Sequence, residues 1–295
     1  MTGYMTDTNL GNIEEVLIVA NYQKPEAKPL SHSIQIFLEE KGVKSEVFGF
    51  SGKADLVCER NYDLAITLGG DGTVLFASRI LAPLNIPILP INLGNFGFIT
   101  EVSKDDWQND LERVLKGEVN LGSRMMLSFN LKNDASKRGG EELCGRAMND
   151  VVISGSGISK LVNLMVHLDE SEHIEYKADG IIFSTSTGST AYSAAAGGPI
   201  LHPEMNAIIL NPICPFTLSH RPLVLPSESE LRVEIAEDQR TELTLTVDGQ
   251  LSYPLKSGDE LFIRKASSAA RILYSGSRSF YEVLRAKLSW TGGPE

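Results

Sequence analysis

Several features that would point to a function class are missing from this sequence of 295 residues. Its three cysteines (Cys58, Cys144 and Cys214) lie far apart and no two have Cys-x-x-Cys spacing, so neither a disulfide framework nor a zinc site is indicated. The five histidines likewise show no metal-binding spacing. No apolar run is long enough to span a bilayer, and the N-terminus has no basic segment followed by an apolar one. We therefore expect a soluble, cytoplasmic protein.

Positive charge is also scarce, because 27 Lys and Arg residues face 38 Asp and Glu residues and leave a formal net charge of −11. Nucleic acids and anionic membranes need a basic face on their partner, so the charge argues against both. A small anionic ligand remains possible if backbone N–H groups, a metal ion or a few cations hold it. The Gly-x-x-x-x-Gly-Lys-Ser/Thr motif is absent, so the chain is not a P-loop kinase.

Apolar runs and amphipathic stretches alternate in the first hundred residues. They predict strands at 15–20, 62–68 and 86–91 and helices at 28–41 and 73–81, an order typical of a parallel, helix-covered sheet. After about Arg124, many short alternating stretches predict an antiparallel sheet domain. Residues 279–289 predict a final helix, which we expect to return to the first domain.

A glycine-rich corner, Gly69-Gly70-Asp71-Gly72-Thr73, joins a predicted strand to a predicted helix. Glycines there allow positive φ angles and close approach of a ligand, and the helix N-terminus offers N–H groups to a phosphate or a sugar hydroxyl. A carboxylate in a loop that only held phosphate would repel its ligand. Asp71 therefore indicates an acceptor for the proton of a hydroxyl nucleophile, or a metal ligand. The alternative is that Asp71 only caps the helix.

Two further polar turns adjoin apolar strands. Asn92-Leu93-Gly94-Asn95-Phe96-Gly97-Phe98 follows a strand at the end where open α/β sheets bind ligands, and Phe98 is either buried or faces a base. Met148-Asn149-Asp150 offers donors and acceptors to ribose or adenine groups, or is a simple polar turn.

The most unusual segment has six hydroxyl residues in seven positions, Ser184-Thr185-Ser186-Thr187-Gly188-Ser189-Thr190, after an apolar strand and before an Ala-rich stretch. Small residues let a ligand lie against the backbone, and hydroxyls can bind phosphate or ribose oxygens; the alternative is a linker. Val247-Asp248-Gly249-Gln250 has the pattern of a β-hairpin turn, with Gln250 within reach of a ligand.

In combination, these segments resemble the NAD kinase family from about Glu14 to Trp290, and Leu218-Ser219-His220-Arg221-Pro222-Leu223 matches a further family segment. The Gly-Gly-Asp-Gly turn also occurs in diacylglycerol and sphingosine kinases, whereas the Ser/Thr run after Asp179-Gly180 is more specific. The resemblance implies a Rossmann-like N-terminal domain with a parallel sheet (13–124 with about 275–295) and a β-sandwich-like, NAD-binding C-terminal domain (125–274). Residues 1–12 are expected to be disordered.

The resemblance also implies roles for individual residues. Asp71 would be the general base that accepts the proton of the adenosine ribose 2′-hydroxyl of NAD, and Phe98 would border an adenine. The other NAD or nucleotide contacts implied are Gly72, Asn149, Asp150, Lys160, Lys177, Asp179, Thr190, Ala191, Tyr192, Ser193, Ala194, Ala195 and Gln250.

ATP, or another phosphoryl donor, is expected with a divalent cation such as Mg²⁺ on its phosphates and with no separate protein-held metal site. A homodimer or homotetramer is implied, in which the neighbouring subunit completes each pocket.

The chain departs from many relatives at three positions: Phe216 stands where His is frequent, Lys177 where Arg is frequent, and Asp150 where Glu is frequent. Lysine cannot make the forked contact of a guanidinium, so these departures affect the details of the pocket and not the base. Two rival interpretations are a diacylglycerol-type lipid kinase, against which the charge and the hydroxyl-rich run argue, and a non-catalytic dinucleotide-binding module, against which Asp71 argues.

Overall fold

The computed structural model describes residues 11–54, 56–58, 60–94, 96–118, 120–133, 142–156, 161–168, 172–217, 219–239, 241–276 and 278–290. These form two compact units, the first from the described residues up to Ser123 together with those from Ala270, and the second from Arg124–Ala269. Within the described ranges, no helix is long and apolar enough to cross a membrane.

The helices are α1 (Ala27–Glu40), α2 (Asp71–Leu81), α3 (Trp107–Leu115), α4 (Tyr192–Ala195) and α5 (Phe280–Leu288), with 3₁₀ turns at Ala82–Leu84 and Thr187–Thr190. The strands are β1 (Glu15–Asn21), β2 (Lys44–Phe50), β3 (Leu64–Gly69), β4 (Ile88–Asn92), β5 (Val102–Ser103), β6 (Asn120–Arg124), β7 (Leu127–Lys132), β8 (Leu143–Ala147), β9 (Asp150–Gly155), β10 (Val162–His167), β11 (His173–Ala178), β12 (Gly180–Thr185), β13 (Ala207–Ile213), β14 (Leu223–Pro226), β15 (Leu231–Ile235), β16 (Leu243–Val247), β17 (Leu251–Leu255), β18 (Glu260–Lys265) and β19 (Ala270–Tyr274).

The first unit is built on a sheet with the strand order β2-β1-β3-β4-β19-β6, and β5 pairs with β4. Strands β1, β2, β3, β4 and β19 pair in parallel. The whole of β3 and β4 is buried, as expected of strands covered on both faces. In the register of β3 with β4, Gly69 stands opposite Asn92, so the two polar turns begin side by side at the same sheet edge.

Some elements of this unit have no counterpart among the predicted ones. Strand β2 lies at the sheet edge and alternates between partly buried and exposed residues, so it lacks the continuous apolar run of its neighbours. Strand β19 follows a long series of antiparallel strands in the sequence, yet it pairs in parallel with β4 through Ile272 and Ile88. Local pattern cannot reveal this pairing, because it joins segments that are far apart in the chain.

The second unit consists of two antiparallel six-stranded sheets, ordered β11-β10-β15-β18-β7-β8 and β14-β13-β12-β9-β16-β17. Alternate residues of β15 and β16 are buried, which is the pattern of strands with one face on the core. One cluster of buried apolar side chains draws on both sheets and includes Leu164, Leu231 and Ile263 from the first and Ile153, Phe183 and Leu245 from the second. The predicted fold class, a parallel α/β region followed by an antiparallel β-rich region and a C-terminal helix, is confirmed.

We expect the replacement of Phe183 by alanine to destabilise the protein by about 3–5 kcal/mol, because its side chain is 0% exposed in the core of the second unit. The matched control is Phe216→Ala in the same unit, where the ring is 80% exposed and the loss should stay within about 0.5 kcal/mol. Urea denaturation followed by circular dichroism measures both variants. Equal losses would contradict the placement of Phe183 in the core.

Candidate active site

The glycine corner between β3 and α2 has a different backbone from the one expected. None of Gly69, Gly70 and Gly72 has a positive φ, and Gly70 is extended with φ −120° and ψ −167°. Gly69 is required for another reason, since a Cβ there would overlap the side chain of Thr73. A Cβ at Gly70 would meet nothing within 4 Å, so the backbone there is open to a ligand.

The side chain of Asp71 is bound by the turn that follows β4. Its Oδ2 accepts the N–H of Phe98 at 2.8 Å, and its Oδ1 accepts the N–H groups of Ile99 at 3.3 Å and Thr100 at 3.2 Å. The Thr100 hydroxyl donates to the same Oδ1 at 3.0 Å. Asp71 thus lies in the first turn of α2 without capping it, because the N-cap residue is Gly70. The alternative role as a helix cap is therefore wrong.

This arrangement leaves Asp71 able to act on a ligand. A carboxylate has about four acceptor positions, and three of the four donors lie on Oδ1, so Oδ2 keeps room for one more hydrogen bond. The N-terminal end of α2 also stabilises negative charge at this position. Gly97 makes the contact possible, since a Cβ there would overlap the Asp71 carboxylate.

Asn92 and Thr100 organise the second turn, and the sequence reasoning missed both roles. The Asn92 side-chain amide donates to Thr100 Oγ1 at 2.7 Å, and Asn92 Oδ1 accepts the N–H of Gly94 at 2.7 Å. Gly97 also donates its N–H to Thr100 Oγ1, at 3.1 Å. The signal was available in part, because Asn92 is a polar residue that ends a wholly buried strand. The ring of Phe98 is partly buried and its centroid lies 6.5 Å from that of Phe280 in α5.

The second unit brings Asn149 and Asp150 together with the hydroxyl-rich segment. Asp150 begins β9 and stands opposite Ser184 on β12. The Thr185 N–H donates to the carbonyl of Asn149 at 2.8 Å, and the Thr185 hydroxyl donates to the carbonyl of Met148 at 2.6 Å. A Cβ at Gly188 would overlap the Asn149 carbonyl. The linker alternative is wrong, because residues 184–189 are buried in and beside a central strand.

Several hydroxyls that the sequence offered to a ligand are used by the protein itself. Ser184, Thr185, Ser189 and Thr190 all donate to backbone carbonyls of the same unit. Three buried oxygens of this region have no hydrogen-bond partner among the described residues: Asn149 Oδ1, Ser186 Oγ and Thr187 Oγ1. Buried polar atoms are normally paired, so these oxygens mark the part of the segment that is suited to a ligand.

The expected contact residues from Thr190 to Ala195 form the end of the 3₁₀ turn and α4. Thr190, Ala191 and Ala194 are partly buried, Tyr192 and Ala195 are exposed, and Ser193 is buried. The backbone carbonyl of Ser193 accepts the side-chain amide of Asn211 at 2.9 Å, which fixes the start of α4 to β13.

Asp248 is a buried residue of this site that the sequence reasoning left out. Its carboxylate accepts the backbone N–H groups of Met148 at 3.2 Å, Asn149 at 2.7 Å and Asp150 at 3.2 Å. Asp248 and Gly249 have positive φ angles of 50° and 63°, as a tight hairpin between β16 and β17 requires. The expected contact Gln250 follows in the same hairpin and is exposed.

Asp150 has an unusual environment for a carboxyl group. It is only 4% exposed, and none of the described residues donates a hydrogen bond to its side chain. Burial, with a smaller contribution from the nearby Asp248 carboxylate, raises the pKa of Asp150 from its ordinary value of 3.8 to about 7.

Three further expected residues lie apart from this group. Lys177 is the second-last residue of β11, and Asp179 lies in the turn to β12. Asp179 therefore adjoins the end of β12 that is farther from Ser184. At ~3.3 Å per residue, the strand separates Asp179 from Ser184 by roughly 16 Å. Lys177 is exposed and its Nζ lies 3.5 Å from Glu175 Oε1. Lys160 lies outside the described residues. In the described part of the chain, no group of three or more His, Cys, Asp or Glu side chains could hold a metal ion.

A parallel α/β unit with this Gly-Gly-Asp corner, followed by an antiparallel sandwich with this hydroxyl-rich turn, defines the class of ATP–NAD-kinase-like folds. Residues 51–119 match the model of the ATP-NAD kinase N-terminal domain, and residues 148–275 match that of the ATP-NAD kinase C-terminal domain. The chain belongs to the NAD kinase family.

Individual relatives agree with this assignment over nearly their whole length. An NAD kinase of Treponema denticola is 42% identical over 95% of this chain and 98% of its own, and one of Geobacter sulfurreducens is 37% identical over 94% and 99%. Among solved structures, a yeast NADH kinase complexed with NADH has a TM-score of 0.81 at 25% identity, covering 96% of this chain and 90% of its own. An NAD kinase from Archaeoglobus fulgidus in complex with ATP has a TM-score of 0.72 at 25% identity, covering 94% and 100%.

We expect Asp150→Asn to stabilise the protein more at pH 8 than at pH 5. Because the pKa of Asp150 is about 7 in the folded chain and 3.8 is its ordinary value, the folded chain keeps a proton that the unfolded chain loses. The wild-type free energy of unfolding therefore loses up to about 4 kcal/mol as the pH rises across that window, and the loss is complete above pH 7. Urea denaturation at the two pH values measures the difference, with the exposed Asp238→Asn as control. An equal gain at both pH values would mean that Asp150 ionises alike in the folded and unfolded chains.

Proposed function

We propose that this protein is an NAD kinase, which transfers the γ-phosphoryl group of ATP to the adenosine ribose 2′-hydroxyl of NAD and gives NADP. The observation that carries the proposal is the Asp71 carboxylate, fixed at the start of α2 by the Phe98–Thr100 turn with an acceptor position left on Oδ2. The relatives support it, since they are named NAD kinases, and two of the similar structures are complexes with NADH and with ATP.

Asp71 acts as the general base in this proposal. The 2′-hydroxyl gives its proton to Asp71 Oδ2, its oxygen attacks the γ-phosphorus, and the bond to the bridging oxygen breaks to release ADP. A secondary hydroxyl is a weak nucleophile, so its position and the acceptor for its proton determine the rate. The hydrogen bonds to the Phe98–Thr100 turn prevent Asp71 from rotating away, which keeps Oδ2 in place between turnovers.

Individual residues are proposed to contact the dinucleotide. Gly72 lies beside the nucleotide and Phe98 borders an adenine. In the second unit, Asn149 and Asp150 bind ribose hydroxyls, and the unpartnered Oδ1 of Asn149 supports this role. The remaining proposed contacts line or close the pocket: Lys160, Thr190, Ala191, Tyr192, Ser193, Ala194, Ala195 and Gln250.

A divalent cation, Mg²⁺ by preference, fits this site as a partner of the triphosphate. Mg²⁺ keeps several waters and takes phosphate oxygens with one or two carboxylates, so the triphosphate would hold most of the ion's coordination sphere. When bound, the ion neutralises the charge of the phosphates. A cytoplasmic location is part of the same proposal.

The length of β12 between Asp179 and Ser184, the residue that stands opposite Asp150, supports a homo-oligomer. Lys177 and Asp179 lie at the opposite end of that strand from Ser184 and Asp150, too far to contact the same ribose. We therefore assign these two residues to the pocket of a neighbouring subunit, in a homodimer or homotetramer with symmetric exchange of residues.

Replacement of Asp71 by asparagine should lower the rate of NADP formation about 100- to 10,000-fold, because the proton acceptor is lost. Purified protein is mixed with Mg²⁺, ATP and NAD, and NADP is followed with an NADP-specific dehydrogenase. Asp63→Asn is the matched control, because Asp63 also accepts two backbone N–H groups in the same unit, from Glu14 and Glu15. NAD binding without NADP from the wild type would favour a non-catalytic binding module, and an active Asp71→Asn would reject Asp71 as the base.

Co-expression of two inactive variants tests the shared pocket. If Asp179 serves the neighbouring subunit, Asp71→Asn and Asp179→Ala chains form mixed dimers in which one of the two sites is intact. The 1:2:1 mixture should then recover about a quarter of the wild-type rate. Each variant alone is the control. No recovery in mixed oligomers isolated through two different tags would show that both residues serve the same chain.

A further inference from the structure

Asp248 makes contacts that closing a hairpin does not require. Two positive φ angles already form the tight turn between β16 and β17, and an Asn-Gly pair would do so as well. The Asp248 side chain instead reaches back about a hundred residues, to the N–H groups of Met148, Asn149 and Asp150. Its own N–H donates to the carbonyl of Asp150 at 2.9 Å.

A carboxylate is the side chain that suits this position. All three of its partners are N–H donors, and an ionised Asp has two oxygens and no donor of its own. An asparagine would turn its NH₂ group towards at least one of these N–H groups.

Asp150, in contrast, has no described neighbour that stabilises a charge. It is buried at 4% exposure, its partner on β12 is the uncharged Ser184, and the residue whose N–H donates to its carbonyl is Asp248 itself. Asp248 is the one charged group in the described part of the chain that acts on it, and that group is negative. Burial above all, and the nearby Asp248 carboxylate to a smaller extent, therefore favour the protonated form of Asp150 and raise its pKa.

We propose that Asp248 is a positioning residue that holds the Met148–Asp150 segment for NAD and keeps the Asp150 carboxyl protonated as a hydrogen-bond donor. This inference rests on the proposed function of the site. It is consistent with the pKa of Asp150, which is raised to about 7.

The protonated group gives the segment a chemical match to a sugar hydroxyl. The free Oδ1 of Asn149 accepts the hydroxyl proton, and the Asp150 O–H donates to the hydroxyl oxygen. A neutral Asp150 also adds no repulsion towards the dinucleotide phosphates in a chain whose net charge is already −11.

The pH dependence of NAD binding tests this role. The dissociation constant for NAD is measured by calorimetry between pH 5.5 and 8.5 for the wild type, Asp150→Asn and Asp248→Asn. The wild-type constant should rise by up to about tenfold per pH unit above pH 7, because ionised Asp150 cannot donate. Asp150→Asn should bind without this pH dependence, since an amide donates at every pH.

The Asp248→Asn variant separates positioning from simple hairpin support. Without the neighbouring negative charge, the pH at which NAD affinity falls should move down, and KM for NAD should rise about tenfold or more while kcat changes less. The matched control is Asp259→Asn, which removes another buried Asp that accepts a backbone N–H, from Lys256 at 2.8 Å, in the turn between β17 and β18. A wild-type affinity that is flat with pH, or an Asp248→Asn profile that coincides with the wild-type one, would overturn the proposal.

Titration by ¹³C NMR of Asp-labelled protein gives a result even if Asp248→Asn does not fold or NAD does not bind. A carboxyl signal that is present in the wild type and missing in Asp150→Asn should titrate near pH 7, and titration below pH 5 would overturn the proposal. This readout does not depend on phosphoryl transfer. If the wild type forms no NADP but shows this titration, the proposed kinase reaction is rejected, whereas the proposed role of Asp248 is not.

Discussion

One kind of interaction occurs in each of the two units: a carboxylate accepts several backbone N–H groups from a segment that is distant in the sequence. Asp71 does this for the turn after β4, and Asp248 does it for the segment before β9. Turns leave N–H groups without partners, and a buried N–H without a partner costs stability. A charged acceptor satisfies several of them together and forms stronger hydrogen bonds than a neutral one. These carboxylates therefore hold backbone segments that strand pairing alone does not fix.

These contacts require residues that leave space. Gly97 admits the Asp71 carboxylate to the turn, and Gly188 admits the carbonyl of Asn149 to the hydroxyl-rich segment. In both cases the glycine serves close packing and not a left-handed backbone, because neither residue has a positive φ. A larger residue at Gly97 would move the Asp71 carboxylate away from the N–H groups of its turn, and one at Gly188 would move the Asn149 carbonyl away from the Thr185 N–H.

Asp71 and Asp248 differ in the acceptor positions that remain for a substrate. Asp71 has donors mainly on Oδ1 and keeps a position on Oδ2, which suits a proton acceptor. The Asp248 carboxylate accepts three N–H groups, so its proposed effect on the substrate is indirect and depends on Asp150, which it positions. In the proposed function, the same residue type therefore has two roles: Asp71 accepts a proton from the substrate, and Asp248 positions a neighbouring residue.

The fold class could be read from the sequence wherever a segment is buried in a simple pattern. The apolar runs of β1, β3 and β4 predicted the parallel sheet, and the alternation in β15 and β16 predicted the antiparallel one. The sequence pattern did not predict strand β2, because an edge strand exposes many of its residues. It did not predict the pairing of β19 with β4 either, because this pairing joins segments that are far apart in the chain. The residue types at the corner, above all Asp71, were likewise sufficient to suggest a proton acceptor.

The tertiary structure alone decided which polar groups already have hydrogen-bond partners within the protein. The sequence offered six hydroxyls to a ligand, and the structure uses four of them on its own carbonyls and leaves Ser186 and Thr187. Asp248 looked like an ordinary hairpin residue because its partners lie about a hundred positions away. Local sequence determines which hydrogen bonds a side chain can donate or accept. Burial and long-range hydrogen bonds determine how many of them remain for a ligand, and these contacts exist only once distant segments have packed together.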